Sequence, residues 1–316
     1  MSTPKKILIT GATGFIGGHV AAEVSRRGHE VTIVHRGSTP LAGGNGATLD
    51  ELETTPRPFD AIIHAAAIRH RHGIAAEDYL TQNTALTSRL LEFAKKSGSG
   101  RFVLVSSIGV FGWPRQLPIS DDNPYSPVGP YGASKVQCEE KTRRSGLPYA
   151  IVRPSITYGP GDTNGMIDKL FRLVAAGKYR VIGKGETRCQ LVFAPDLAHG
   201  IAEAALRDGL EGAEYTCTYK DPISMQRLAE IAHEVVGRKL PQPNVPLPVA
   251  RLAATGFELL EKVGLIKGEP LVTHEKLATV TVDRAYDISR MRKILGWEPP
   301  TGYAEGLAQT ARALGL

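Results

Sequence analysis

The sequence predicts an α/β protein with a doubly wound parallel sheet and a smaller, mainly helical C-terminal region. Through the first half, short β-branched segments alternate with amphipathic helical segments, which is the pattern of parallel strands joined by crossover helices. A glycine-rich turn follows the first strand segment and opens the first helical one. After residue 152 the alternation becomes irregular, and from Pro222 onward the pattern is mainly helical.

Each predicted element is a short apolar or amphipathic segment bounded by glycine, proline or polar residues. The predicted strands cover residues 7–10, 31–34, 61–64, 101–107, 149–152 and 215–218. The predicted helices cover residues 16–27, 80–96 and 195–206, and the first two end at Gly28 and Gly98, because glycine readily adopts the left-handed conformation that ends a helix. Between residues 159 and 190, six glycines separate short helical pieces, which we expect to leave the main sheet.

The composition limits the class of protein. A chain of 316 residues that is 42% hydrophobic and 22% charged is typical of a globular protein with one large or two small domains, and excludes a disordered or collagen-like chain. Its three cysteines, Cys138, Cys189 and Cys217, lie far apart without a CxxC pair. We therefore expect no metal site, no disulfide framework and a cytoplasmic location.

The net charge of +6 gives little indication of a partner. Aromatic residues make up 6% of the chain and the basic residues are dispersed, whereas nucleic-acid platforms combine aromatics with clustered arginines. We expect no nucleic-acid partner. No apolar run approaches the roughly 18 residues that a membrane span requires, and the run after Lys5-Lys6 is too short for a secretory signal.

The first functional motif is the glycine turn Gly11-Ala-Thr-Gly14-Phe-Ile-Gly17, between the first strand and the first helix. With 34 glycines in the chain, the pattern alone is weak, so its position carries the argument. A glycine turn at this place lets the backbone approach a pyrophosphate and directs free helix N–H groups at it. The turn predicts a Rossmann dinucleotide-binding domain.

The end of the second strand bears on the choice of cofactor. NAD-selective proteins usually place a carboxylate there for the ribose hydroxyls, whereas an arginine accommodates the phosphate of NADP. This chain has His35-Arg36 and no carboxylate at that point. The sequence therefore favours NADP over NAD, and the alternative is that Arg36 is a solvated loop residue.

The second motif is Tyr131-Gly-Ala-Ser-Lys135. On a helix, residues four apart share a face, and an ammonium near a phenol stabilises the tyrosinate, as a general acid/base for alcohol–ketone interconversion requires. Ser106-Ser107 ends an upstream strand, where a hydroxyl can face the same ligand. These residues predict hydride transfer with Tyr131 moving the proton.

Together with further ordered segments, these motifs make the chain similar to the extended short-chain dehydrogenase/reductases. The segments are, in order, the glycine turn, residues 60–67, Asn83, residues 105–112, residues 130–135, Arg153-Pro154 and residues 158–161, and the likeness continues to residues 286–299. The second half most resembles the 3β-hydroxysteroid dehydrogenase-like branch, because of Pro246-Leu-Pro and the apolar helical segment 257–263.

The resemblance implies roles for individual residues. Tyr131 would be the acid/base, Lys135 would bind the nicotinamide ribose, and Ser107 would hydrogen-bond the substrate oxygen. The implied cofactor-binding residues are Gly11, Thr13, Gly14, Phe15, Ile16, Gly17, Arg36, Asp50, His64, Ala65, Ala66, Ala67, Asn83, Ser106, Tyr131, Lys135 and Pro154. The implied substrate contacts are Ser107, Ile108, Tyr158 and Arg188. The family commonly dimerises through the helices bearing Asn83 and Tyr131, so a homodimer is expected.

The resemblance also implies an interleaved domain organisation. Residues 1–160, with 189–218 returning to the sheet, would form the dinucleotide-binding domain, and residues 161–188 and 219–316 the substrate-binding domain. The segment 37–58 departs from the family pattern, because it is rich in Gly, Pro and Thr where a clear third strand and an acidic residue near the adenine are usual. Asp50 is the candidate for that acidic residue.

The sequence leaves several substrates open. The run Arg153-Pro-Ser-Ile-Thr-Tyr158 lacks the asparagine typical of nucleotide-sugar epimerases and dehydratases, and Ser107 lacks the acidic pair that dehydratases place after it. A small hydrophobic or acyl molecule of sterol, 3-oxoacyl or flavonoid type is favoured. The alternatives are a nucleotide-sugar 4-epimerase or dehydratase, and a cofactor-binding protein without catalysis.

Two further segments have two interpretations each. Arg69-His-Arg-His72 follows the predicted cofactor-binding alanines, and either recognises a carboxylate or phosphate or is a solvated basic loop. The apolar helical segment 257–263 either lines an acyl pocket or belongs to the core.

Overall fold

The computed structural model describes residues 3–37, 45–68, 74–113, 116–263, 265 and 272–316. The strands of its main sheet are β1 (Lys6–Thr10), β2 (Glu30–Val34), β3 (Asn45–Ala47), β4 (Ala61–His64), β5 (Arg101–Val105), β6 (Tyr149–Pro154) and β10 (Ala213–Cys217). These seven strands are all parallel and lie in the order β10-β6-β5-β4-β1-β2-β3. The predicted doubly wound parallel sheet is confirmed, including the return of the segment near residue 215 to its edge.

Two small sheets accompany the main one. They pair β7 (Ile156–Tyr158) with β9 (Leu191–Phe193), and β8 (Arg188–Cys189) with β11 (Ile223–Ser224). The helices are α1 (Phe15–Arg26), α2 (Leu49–Thr54), α3 (Ala76–Ser97), α4 (Gly129–Arg143), α5 (Met166–Ala175), α6 (Ala194–Leu206), α7 (Met225–Val236), α8 (Leu247–Lys262), α9 (His274–Thr281), α10 (Ser289–Leu295) and α11 (Tyr303–Ala313). A short 3₁₀-helix covers Ile108–Val110. Within the described ranges, no helix combines the length and apolarity that crossing a membrane requires.

Both faces of the main sheet are buried, which explains why its strands are almost continuously apolar. Successive side chains of β1 point to opposite faces, so Ile7 and Ile9 pack with α1 and α6, whereas Leu8 packs with α3. Because β1 lies between β4 and β2, the direction in which the chain winds reverses beside β1. In open α/β sheets ligands bind at this point, outside the carboxyl ends of the strands.

A second core lies beyond the carboxyl edge of the main sheet. It joins α5, α7 and α11 to the small sheets through residues such as Phe171, Leu228 and Leu307. Met291 and Leu295 of α10, however, pack in the main-sheet core. This part of the C-terminal region therefore packs with the main sheet, and the division into two domains stays a prediction.

The segment 37–58 differs from its expected form. Although compressed, it contains a short third strand, β3, which pairs with β2, followed by α2. Thr48 and Glu51 form a capping box that fixes the start of α2. Residues 38–44 lie outside the described ranges.

Candidate active site

A cleft of about 1110 Å³ opens at the carboxyl ends of the central strands. Its lining includes the predicted residues Gly11, Thr13, Gly14, Phe15, Ile16, Gly17, Arg36, Asp50, Ala65, Ala66, Ala67, Ser106, Tyr131 and Lys135. It also includes residues that the sequence analysis missed, namely Thr10, Val34, Thr48, Leu49, Leu86, Arg89 and Val105. Thr10, Val34 and Val105 end their strands, which is a signal that was available in the sequence.

The glycine turn is packed too closely for other residues. Gly11 has φ +77°, and a Cβ there would lie 2.7 Å from the backbone nitrogen of Ala66. A Cβ on Gly17 would lie 2.1 Å from the carbonyl oxygen of Gly11. No described side chain caps the start of α1, so its first-turn N–H groups are available to an anion. The turn therefore fits the diphosphate of a dinucleotide.

The adenosine end of such a ligand would meet mixed charge. Arg36 follows β2 and is exposed, while Asp50 lies on α2 with its side chain 85% exposed. Arg89 of α3 is also in the lining and pairs with Asp50 at 2.5 Å and with Glu53 at 2.7 Å. The Asp50 carboxylate thus already has a cationic partner.

The three predicted catalytic residues lie where β5 meets α4. Lys135 is 2% exposed, and its Nζ donates to the carbonyl oxygen of Val105, the last residue of β5, at 2.9 Å. Ser107 follows two residues later and its Oγ accepts from the backbone N–H of Gly109 at 3.0 Å. The buried Tyr79 packs its ring edge-on against Tyr131, with centroids 6.5 Å apart.

The 3₁₀-helix holds Ser107 against the helix that bears Tyr131. A Cβ on Gly132, the residue after Tyr131, would lie 2.6 Å from the carbonyl oxygen of Gly109. Glycine at position 132 therefore permits a backbone contact that a larger residue would block. This contact brings the serine loop and the Tyr131 turn of α4 together.

His64, predicted to bind the cofactor, lies under the cleft and is 1% exposed. Its Nδ1 bonds to Oγ1 of Thr10 at 2.8 Å, and its Nε2 bonds to Oγ1 of Thr87 at 3.1 Å. Burial, together with the charge of Lys135, lowers the pKa of His64 to about 3. The imidazole is therefore neutral at physiological pH, and its bonds join β1, β4 and α3.

Asn83, also predicted to bind the cofactor, continues this hydrogen-bond chain toward α4. Its Oδ1 accepts from the backbone N–H of Ile68 at 2.8 Å, and its Nδ2 donates to Oγ of Ser134 at 3.0 Å. Ser134 in turn donates to the carbonyl oxygen of Tyr131 at 2.7 Å. Asn83 is 4% exposed and absent from the cleft lining, so it holds the loop after β4 and the catalytic helix. We call Thr10, His64, Thr87, Asn83 and Ser134 the histidine chain.

A buried ionic cluster was missed by the sequence analysis. It consists of Arg153, Glu139, Asp121, Glu214 and Arg143 and is called here the arginine cluster. Arg153 is 1% exposed and donates to Glu139 at 2.7 Å, to Glu214 at 2.6 Å and to Asp121 at 3.1 Å. Oγ of Ser106 donates to Oε1 of Glu139 at 2.5 Å. Ser106 lines the cleft, so the cluster reaches the site through that serine.

The carboxylates of the arginine cluster differ in their environments. Burial would raise the pKa of Glu214, but hydrogen bonds and charges from Arg143 and Arg153 outweigh it and hold the pKa below its ordinary value. Burial raises the pKa of Asp121 despite its bonds to Thr216 and Arg153. Burial and the neighbouring Glu139 raise the pKa of Tyr125, which also bonds to Glu139, to about 12. Tyr125 is therefore a neutral donor to the cluster.

A signal for this cluster was present in the sequence. Arg153 interrupts the apolar segment 150–152, and a charge in a strand buried on both faces requires buried partners of opposite sign. The sequence did not reveal which carboxylates would be those partners. Three different segments supply them.

Ser107 itself is outside the cleft lining, and four other predicted contacts also lie outside it. Pro154 is buried at the end of β6, and Ile108 packs in a small core with Val110 and Phe111. Tyr158 is 1% exposed and packs against Phe193, because the adjacent Gly306 leaves room for its ring. Tyr158 is thus a core residue in this structure, and its role as a substrate contact stays a prediction.

Arg188, the fourth of these residues, is an exposed residue of β8. Its backbone N–H donates to Asp283 at 2.7 Å, and its carbonyl oxygen accepts from Arg284 at 2.8 Å. Residues 69–72, for which anion recognition was considered, lie outside the described residues. Residues 257–262 belong to α8 and Val263 follows its last residue. Leu259 and Val263 are exposed, so neither a core nor a pocket role is confirmed for this segment.

The fold and its cleft define a class of protein, a Rossmann-type dinucleotide-binding enzyme. The chain belongs to the NAD dependent epimerase/dehydratase family, whose sequence profile it matches over residues 7–217. This confirms the resemblance stated from the motifs.

Individual relatives differ in activity. A 3-beta-hydroxysteroid dehydrogenase of Mycolicibacterium neoaurum is 28% identical, over 93% of this chain and 87% of the relative. A UDP-glucose 4-epimerase of Vibrio cholerae is 27% identical, over 98% of this chain and 95% of the relative. Among solved structures, MoeE5 in complex with UDP-glucose and NAD matches with a TM-score of 0.77 at 22% identity, over 98% of both chains. That last similarity shows the fold.

Proposed function

We propose that this protein is an NAD(P)-dependent dehydrogenase/reductase that interconverts a secondary alcohol and a ketone on a hydrophobic or acyl substrate. One observation carries the proposal. Tyr131 and Lys135 line the same cleft as the glycine turn, and Lys135 is bonded to the strand end that leads into Ser107. A proton-transferring phenol and a dinucleotide cradle thus share one cleft.

The side chains divide the chemistry among them. The nicotinamide cofactor supplies or accepts the hydride when it is bound. Oη of Tyr131 donates a proton to the substrate oxygen during reduction and accepts it during oxidation. Oγ of Ser107 accepts its hydrogen bond from Gly109, which leaves the hydroxyl proton to donate to that same oxygen. Lys135 lies one helical turn from Tyr131 on α4, and both side chains line the cleft.

The substrate class rests on two observations. The residues after Arg153 lack the asparagine typical of nucleotide-sugar enzymes of this fold, and a hydroxysteroid dehydrogenase is among the relatives that match nearly the whole chain. The epimerase from Vibrio cholerae is equally similar over its length. A nucleotide-sugar substrate is therefore the competing outcome of the experiment.

The test is a substrate panel with a matched pair of variants. Steroid alcohols, 3-oxoacyl esters and nucleotide sugars are incubated with cofactor, and nicotinamide absorbance is followed. A dehydrogenase gives a stoichiometric change in absorbance, whereas an epimerase converts its substrate with no net change. With the active substrate, Tyr131→Phe should lower kcat by about 10²–10⁴-fold and leave cofactor affinity unchanged. Tyr149→Phe, a tyrosine outside the cleft lining, should retain activity. Full activity of Tyr131→Phe would refute the catalytic assignment.

We also propose that NADP is the preferred cofactor. Arg36 lies in the cleft lining, and an arginine at the end of the second strand suits the extra phosphate of NADP. Fluorescence titration should show that Arg36→Ala weakens NADPH binding about tenfold or more, equivalent to about 1.4 kcal/mol, with little effect on NADH. Arg57→Ala, outside the cleft lining, is the control. Tighter binding of NADH by the wild type, unaffected by Arg36→Ala, would reverse the preference.

A further inference from the structure

Arg284 is a buried cation to which the described part of the chain supplies no carboxylate. The residue is 9% exposed. Its Nη2 donates to the carbonyl oxygen of Thr279 at 2.6 Å, and no described carboxylate forms an ion pair with the guanidinium. Its Nε is buried and has no hydrogen-bond partner. The positive charge of Arg284 is therefore not balanced by the described residues.

This arrangement is unusual for a buried ion, because a charge removed from water needs a partner of opposite sign. Arg153, also buried, has three carboxylates around it. Thr279, in contrast, is one of the last residues of α9, and a helix C-terminus supplies only about half a negative charge. The contact with Thr279 caps α9 but leaves Nε and part of the charge of Arg284 without a partner.

The ionisable side chains that sense the charge of Arg284 are neutral. Burial raises the pKa of Cys189 to about 11, although the charge of Arg284 opposes the shift. Burial likewise raises the pKa of Tyr286 against the same charge. Both side chains are therefore uncharged at physiological pH, and neither one balances the guanidinium.

The backbone that carries Arg284 is held from two sides. The N–H of Arg284 donates to the carbonyl oxygen of Arg188 in β8 at 2.8 Å. The carbonyl oxygen of Ala285 accepts from Ile119 at 2.7 Å, and the N–H of Asp287 donates to Ile119 at 2.9 Å. Because this segment is fixed before any ligand arrives, little ordering is needed for the guanidinium to bind one.

The same segment leads to the loop that bears Ser107. Arg284 and Tyr286 are buried, whereas Ala285 between them is half-buried, so the two side chains alternate as on one face of an extended segment. Tyr286 packs in the small core that contains Ile108, the residue after Ser107. Arg284 is absent from the lining of the dinucleotide cleft. Its position therefore connects it with the substrate oxygen's proposed partner and not with the cofactor.

We propose that Arg284 binds an anionic group of the substrate, a carboxylate or a phosphate. The identity of the ligand as substrate rests on the proposed oxidoreductase function, whereas the anion site itself does not. The free Nε–H is a donor on a charged group, and anionic oxygens form the strongest hydrogen bonds with such donors. An acyl chain that ends in a carboxylate or phosphate supplies this group, but a neutral sterol or flavonoid does not.

Inorganic phosphate is the probe for the site, because its binding is measured without turnover. Calorimetric titration of the full chain is carried out at constant ionic strength, with NADPH present to occupy the glycine turn. Arg284→Met should weaken phosphate binding about tenfold or more, equivalent to about 1.4 kcal/mol. Arg290→Met removes the same charge from the same segment, but Arg290 is paired with Asp122, so this variant should bind phosphate like the wild type. Equal binding by the wild type and Arg284→Met, or no binding to the wild type, would overturn the proposal.

Thermal unfolding without phosphate separates anion binding from a structural role. Because Arg284 has no counter-ion in the described chain, Arg284→Met should leave the melting temperature unchanged or raise it. A melting temperature lowered as far as in Arg153→Met would show that the protein already satisfies the guanidinium, and would overturn the proposal.

The substrate assignment is tested with the active compound of the substrate panel, supplied with its anionic group free and as a methyl ester. Arg284→Met should raise KM for the charged form about tenfold more than KM for the ester. Equal effects on the two forms, or an active substrate without an anionic group, would overturn the assignment of the anion to the substrate. A fully active Tyr131→Phe would refute the catalytic role of Tyr131 but leave the phosphate result unaffected, so the two failures are distinguishable.

Discussion

Two buried polar clusters beneath the cleft connect the catalytic helix to the sheet by different means. The histidine chain is neutral and ends at Ser134, whose hydroxyl bonds to the carbonyl oxygen of Tyr131. The arginine cluster is ionic and reaches the end of β5 through the bond between Glu139 and Ser106. Both satisfy buried polar groups, but the first does so with hydrogen bonds alone and the second with two cations and three carboxylates.

The difference determines what disturbs each cluster. A neutral chain needs no counter-ion, but it depends on its histidine remaining unprotonated. An ionic cluster in a buried site depends on every partner, because an ion left without its partner bears the full desolvation penalty. We therefore expect the histidine chain to respond to pH and the arginine cluster to respond to substitution.

The largest effect is expected when the arginine cluster loses its central cation. Arg153→Met leaves Glu139 and Glu214 with fewer buried partners and should lower the free energy of unfolding by about 3–5 kcal/mol. Chemical denaturation measures this loss. Adding Glu139→Gln to the same chain should make the combined loss smaller than the sum of the single losses, because the two side chains are in direct contact.

An exposed ion pair supplies the control for Arg153→Met. Arg26 pairs with Glu23 at 2.8 Å, but its side chain is 70% exposed. Arg26→Met should therefore leave the free energy of unfolding almost unchanged. If Arg153→Met and Arg26→Met lowered the free energy of unfolding by similar amounts, the arginine cluster would contribute no more to stability than an exposed ion pair.

An intermediate effect is expected for the histidine chain at acid pH. The pKa of His64 in the folded chain is lowered from 6.5 to about 3, so only the unfolded chain takes up this proton between those values. The contribution of the neutral imidazole is fully present above pH 6.5 and is lost as pH falls toward 3, by about 1.4 kcal/mol per pH unit within that window. In His64→Asn, whose side chain does not titrate, this part of the pH dependence should disappear.

The measured quantity is the free energy of unfolding as a function of pH. Subtracting the profile of His64→Asn from that of the wild type removes the contribution of the other titrating groups. Unfolding is followed at several pH values from 7 to 4 for the wild type, His64→Asn and Thr81→Ala. Thr81 is an exposed residue of α3, and its variant should follow the wild type. Parallel profiles for the wild type and His64→Asn would contradict the assignment of a buried neutral histidine.

The smallest effect is expected for the single bond between the arginine cluster and β5. Ser106→Ala removes a donor to Glu139, which keeps Arg153 and Arg143 as partners. Stability should fall by about 1.5–3 kcal/mol at most, the contribution of a hydrogen bond to a charged group. We expect kcat to fall several-fold with cofactor affinity unchanged, since the hydroxyl faces Glu139. A loss of cofactor affinity at constant kcat would instead make Ser106 a cofactor contact.

The parts of the site that depend only on residues close together along the chain could be predicted from the sequence. The glycine turn and the spacing of Tyr131 and Lys135 each lie within one strand-to-helix turn or one helix, and the structure brings the turn, the tyrosine and the lysine into one cleft as expected. The parallel sheet was also predictable, because a sheet buried on both faces requires continuously apolar strands. His64 and Asn83 were found by resemblance, but their positions beneath the cleft were not.

What the sequence alone determined is the parallel sheet, the glycine turn and the helix that carries Tyr131 and Lys135, because each follows from the periodicity or backbone geometry of adjacent residues. Only the tertiary structure decided that Glu139, Asp121 and Glu214 converge on Arg153, that Tyr158 is buried, and that the apolar residues of α8 face outward. These features depend on which distant segments pack together. A periodic pattern specifies that a face is apolar or charged, but its partner is selected by the packing of the whole chain.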